Sequence, residues 1–90
     1  MLVLPAELTH AQANASLRML LQGLASQQGP VVVDARALSR FDSSSLAVLL
    51  QCRREAIGLQ RAFSVLGLPV RLRALAGLYG VDRLLPESVA

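Results

Sequence analysis

Lysine and tryptophan are absent from this 90-residue chain, histidine and cysteine occur once each, and the only aromatic residues are Phe41, Phe63 and Tyr79. Each shortage removes a class of function. Without lysine there is no phosphate-cradling loop of the Walker type, and so no ATPase of that kind. His10, the lone histidine, lies at the start of a predicted helix with no Asp or Cys beside it. It therefore reads as a surface or capping residue, not as half of a proton relay. No Gly-x-Ser-x-Gly elbow is present, and the serines that do occur have no base near them in sequence. Neither a metal-ligating cluster nor a cofactor motif emerges, and an enzyme is not expected.

Cys52 cannot close a disulfide within the chain and sits among apolar helix positions, which fits a buried thiol in a reducing compartment. No stretch approaches 18 apolar residues, and no basic segment followed by an apolar run opens the chain, so a cytoplasmic protein that is not inserted in a membrane is expected. The formal charge of +3 and the pI near 10.5 raise the question of nucleic acid. Nine scattered arginines and three aromatics make no stacking platform, and nucleic acid is set aside as a partner.

What is there is apolar. Hydrophobic residues make up 53% of the chain and charged ones 17%, enough to bury one core and too little chain for a second, so residues 1–90 form a single domain. So much apolar surface on so small a body also points to a partner or a homo-oligomer.

The hydrophobic pattern gives strands at Leu2–Leu4, Val31–Val33 and Ala62–Leu66. The β-branched run Val31-Val32-Val33 reads as a central strand covered by helices on both faces. Helical periodicity runs from His10 to Ala25 behind Thr9, from Asp42 to Gly58, and from Pro69 to a stop at Gly80, with Leu75 and Leu78 expected inside and Tyr79 partly exposed. Residues 34 to 41 read as a connection, and Val81 to Leu85 as an extended tail with a few sheet bonds. Strands alternating with helices predict an α/β fold with a small, mostly parallel sheet of about three strands and three helices.

One segment stands out, Leu38-Ser39-Arg40-Phe41-Asp42-Ser43-Ser44-Ser45-Leu46-Ala47. Asp42 is a ready N-cap, and a helix cap is the plain reading. Three consecutive serines, however, fill a turn that Glu or Ala would stabilise better. Small hydroxyl side chains let another backbone come close. A phosphate placed there would meet the favourable helix dipole and the repelling carboxylate of Asp42 together.

At this motif the chain resembles the STAS family, named for sulphate transporters and anti-sigma factor antagonists, whose members show Asp-[Ser/Thr]-x-Gly-Leu-[Gly/Ala] after a hydrophobic strand and a short loop. Val31-Val32-Val33-Asp34 stands for the strand end and Asp42-Ser43-Ser44-Ser45-Leu46-Ala47 for the motif, with Ser45 where the family usually has glycine. Leu75-Ala76-Gly77-Leu78-Tyr79-Gly80-Val81 and Leu84-Leu85-Pro86 are similar to the C-terminal helix and tail of the MlaB-like members.

The resemblance implies a non-catalytic STAS protein that works by partner binding or phosphorylation at Asp42, Ser43, Ser44, Ser45 and Ala47, with Ser43 central. Two partners compete. One is the cytoplasmic ATPase subunit of a phospholipid-trafficking ABC transporter (the Mla pathway of outer-membrane lipid asymmetry), which would hold the protein at the inner face of the inner membrane. The other is an anti-sigma factor kinase that phosphorylates Ser43. A small-ligand or lipid-binding module is the third reading. The family usually opens with a further strand ahead of Leu2–Leu4, so an N-terminal edge strand is expected to be missing, leaving a sheet edge open to another chain.

Overall fold

A computed structural model describes residues 1–88. Strand β1 (Leu2–Val3), helix α1 (His10–Ser26), strand β3 (Val31–Asp34), helix α2 (Ser43–Gly58), strand β5 (Phe63–Leu66) and helix α3 (Val70–Leu78) follow one another. Two short strands, β2 (Glu7–Leu8) and β4 (Arg40–Phe41), lie between them. The main sheet runs β1-β3-β5, all parallel, with Leu2 opposite Val33 and Val33 opposite Val65. The fold is thus α/β with a small parallel sheet and three helices, and Val31–Asp34 is its central strand.

The helices cover one face of that sheet. Leu2, Val31, Val33, Phe63 and Val65 point into a single core with Leu20 and Leu24 of α1, Leu49, Cys52 and Ala56 of α2, and Leu72 and Ala76 of α3. On the other face Val32 is half-buried and Val3 is exposed. The expectation of helices on both faces is corrected: three helices in a row suffice for one layer, and the alternation of burial along β1 and β5 shows the second face left partly open.

Local chemistry explains the helix ends. The backbone N–H and the hydroxyl of Thr9 both donate to Gln12 Oε1, at 2.9 and 2.7 Å, fixing the first turn of α1. At its other end the Arg61 guanidinium donates to the carbonyls of Leu24 and Gly29, at 2.7 and 2.6 Å, which ties the last turn of α1 to the approach of β5. Gly67 turns the chain out of β5 with φ of 67°, where a Cβ would also run into the Arg36 side chain.

Three expectations change. Residues 34 to 41 are not only a connection: Arg40–Phe41 pairs in parallel with Glu7–Leu8, and Ala6 accepts hydrogen bonds from the N–H groups of Ser39 and Arg40. Val81 to Leu85 is not extended, because Asp82–Leu84 forms a 3-10 turn that drops Leu85 into the core. The sheet bonds fall later, where Val65 exchanges hydrogen bonds with Pro86 and Ser88, both at 2.8 Å. Leu78 is 80% exposed, not inside, since the inward stripe of α3 is Leu72 and Ala76 with Leu75 half-buried. Tyr79 is partly exposed, as expected. No strand precedes β1 among the described residues, and β1 has a partner on one side only.

Candidate functional site

In a parallel sheet with a helix after each strand, every helix runs back against the strands, so the helix starts gather at one end of the domain. The β2–β4 pair sits at that end and draws the start of α2 against the start of α1. Asp42 makes the join. Its carboxylate accepts the Ser44 N–H at 2.8 Å, capping its own helix, and the His10 N–H at 3.0 Å, capping the neighbour. The hydrogen bond from His10, followed by that from Ser44, holds the Asp42 carboxyl below its ordinary value of 3.8. One side chain thereby satisfies orphan donors of two helices.

The three serines separate by helical phase. Ser43 is exposed, and its hydroxyl holds no hydrogen bond among the described residues. Ser44 is half-buried. Ser45 is fully buried, and its hydroxyl donates to the Leu8 carbonyl at 2.5 Å. As a surface contact Ser45 is corrected, because it lies i, i+4, i+7 and i+11 with Leu49, Cys52 and Ala56 on the stripe that faces the core. The departure from the family glycine therefore acts inward, adding a bond between α2 and β2, and leaves the outer surface unchanged. Ala47, one turn beyond Ser43, is exposed.

Between α1 and α2, beside this first turn, runs a groove of about 300 Å³. Ser44, Ala47 and Gln51 form one wall, and His10, Asn14 and Leu17 the other. Of the α1 residues, His10 was singled out in the sequence as a surface or capping residue, but none was expected to line a groove. Their i, i+4, i+7 spacing marks one helix face, yet only the Asp42–His10 bond shows that it abuts α2. His10 lines the groove and is exposed, as expected of a surface residue, but its backbone N–H receives a cap from Asp42 where a capping residue would supply one.

Cys52 is buried, and burial pushes its thiol up to about 11, so it stays protonated at neutral pH. Among the described residues no three His, Cys, Asp or Glu side chains gather into a metal-ligating group, and no helix is long and apolar enough to cross a membrane.

A capped helix start with an exposed hydroxyl, a small side chain one turn on and a shallow groove alongside defines a small α/β binding module. A family model described as Mlab, STAS domain matches residues 1–86, and the chain belongs to the STAS family, whose domains are in general non-enzymatic binding modules. Among curated proteins and among solved structures, no match reaches significance.

Proposed function

We propose that this protein docks onto the cytoplasmic ATPase subunit of a phospholipid-trafficking ABC transporter and supports its assembly and activity, as an MlaB-like STAS subunit. The observation that carries the reading is the match of a family model of the Mlab type over 86 of the 90 residues. Asp42, Ser43, Ser44 and Ala47 are the contact set. Asp42 fixes the two helix starts, Ser43 and Ala47 offer small exposed side chains that admit a close backbone, and Ser44 opens into the groove. Such docking places the protein in the cytoplasm, at the inner face of the inner membrane. Co-purification with the ATPase subunit tests it: Ser43→Trp should abolish the complex while leaving the circular dichroism spectrum unchanged. Retained binding sinks the proposal.

The exposed, unbonded hydroxyl of Ser43 favours one second reading, an anti-sigma factor antagonist whose complex with a kinase-type partner is broken by phosphorylation. A doubly charged phosphate there would press on the Asp42 carboxylate, which already serves two helix starts. Good coverage of the Ser43 peptide in cellular phosphopeptide maps, without any modification, excludes it. A small-ligand or lipid reading has the α1/α2 groove to draw on, and about 300 Å³ is the bottom of the usual range for such sites.

A further inference from the structure

Strand β1 is an open edge of the sheet, with β3 on one side and no strand on the other among the described residues. Its register sets which groups face outward. Leu2 stands opposite Val33 and Val3 opposite Asp34, and the Leu4 N–H donates to the Asp34 carbonyl at 2.9 Å. Successive residues of a strand turn their N–H and C=O to alternate sides, so Leu2 and Leu4 bond to β3 while Val3 points both of its groups away from it.

Apolar side chains flank that pair of groups. Val3 is 58% exposed on the open face of the sheet, and Met1, two residues earlier on the same side, 54%. On the helix side Gly23 of α1 lies over Leu2, so closely that a Cβ would stand 2.7 Å from the Leu2 side chain. Met19, one turn before Gly23, therefore looks out over the same edge, and it is 56% exposed. Charge is nearly absent. Between Glu7 and Asp34 there is one arginine, Arg18, and neither Asp nor Glu; Arg18 is exposed and stands about 100° round the helix from Met19. His10 faces the groove on the opposite flank of α1. The charges that border the edge are met within the chain: the Met1 amine donates to Gln27 at 3.2 Å, Asp34 pairs with Arg36 at 2.9 Å and Glu7 with Arg40 at 3.7 Å.

Such a face calls for no oppositely charged partner, and it is its own complement. When a residue turns both backbone groups outward, the same residue of an antiparallel copy accepts its N–H and donates one in return, as in the hydrogen-bonded pairs of an antiparallel ladder. The other flank of the sheet cannot serve, since Val65 of β5 spends its N–H and C=O on Pro86 and Ser88. We infer that two copies of this chain join edge to edge, β1 against β1 in antiparallel register about a two-fold axis at Val3, into one six-stranded sheet. The inference stands apart from the proposed function, because Ser43 and the groove remain free on both copies.

Two hydrogen bonds and a few apolar side chains make a small interface, so analytical ultracentrifugation should show a reversible dimer that dissociates somewhere between roughly 1 µM and 1 mM. Val3→Lys sets like charges across the axis and should weaken dimerisation at least about ten-fold, as should Val3→Glu, and Met19→Glu from the helix side. Val3 and Met19 are both over half exposed, so the variants should keep their fold, checked by circular dichroism and melting. An equimolar mixture of Val3→Lys with Val3→Glu should recover association, because the two-fold sets position 3 against position 3. A wild-type chain that is monomeric at about 1 mM overturns the inference. So does a dimer unmoved by Val3→Lys and Met19→Glu, and so does loss in both Val3 variants without recovery in the mixture. A monomeric chain whose binding to the ATPase subunit is lost in Val3→Lys gives the edge to that partner, against the inference.

Discussion

The Asp42 carboxylate and the His10 backbone N–H, 32 residues apart in sequence, meet at 3.0 Å, and through this bond the starts of α1 and α2 share one cap. The surface proposed for docking is therefore as rigid as that junction. Four consequences can be measured.

Acid should loosen the domain from this junction. The carboxyls of Asp42 and Asp34 are both held below 3.8, Asp42 by backbone N–H groups and Asp34 chiefly by the Arg36 side chain. A carboxyl depressed on folding contributes stability that is fully present above its unfolded value and lost as pH falls through its folded one. Urea midpoints should hold steady down to about pH 4 and fall below it. In Asp42→Ala the plateau should be lower and the acid slope shallower, and an unchanged slope would remove Asp42 from the account.

Ser45→Ala should destabilise without touching docking. The substitution strips the Leu8 carbonyl of a buried donor, for which about 1 to 2 kcal/mol is expected in urea unfolding. Affinity for the ATPase subunit should stay within two-fold, about the scatter of a substitution outside the interface. Ser43→Ala should leave stability alone, since its hydroxyl is exposed. Equal effects at the two positions would contradict the separation of the serines.

Cys52 should be silent toward thiol reagents in the native state and react once urea unfolds the chain. It is buried and its thiol is pushed up to about 11 from 9.0. Because the folded form holds its proton more tightly, that contribution to stability persists below pH 9 and is lost as pH rises toward 11. Fast native labelling at pH 8 would count against a closed core.

Leu49→Ala tests how little core there is to spare. Leu49 is fully buried where α2 meets the sheet. The loss should reach about 2 to 5 kcal/mol, a large share of the roughly 5 to 15 kcal/mol that a small domain possesses. A fall in the urea unfolding midpoint of that size, read by far-ultraviolet circular dichroism, is the expected outcome.

The elements legible in the sequence are those long enough to show a period. α1, α2 and β5 were readable because apolar residues recur at spacings that bring them to one side, and β3 because three β-branched valines stand in a row. β2 and β4 were not, since two residues have no period and these strands exist only because each finds the other across 32 residues of chain. The motif was visible as a motif, while its inward and outward halves were not distinguished. The signal was present: counting back from Ala56, Cys52 and Leu49 places Ser45 on the core side. Leu78 misled because leucine at helical spacing ordinarily marks the interior, and here the helix carries apolar residues on two faces.

The tail has a bearing on how copies of the molecule can associate. Pro86–Ser88 lies along β5, with Glu87 held to Arg73 at 3.0 Å and accepting the Gly67 N–H at 3.1 Å. That flank of the sheet ends in a segment containing Pro86, which has no N–H to offer, while the flank at β1 stays unpaired among the described residues. The β5 flank is thus closed to strand addition by the chain's own tail, through two hydrogen bonds to Val65 and a residue with no N–H.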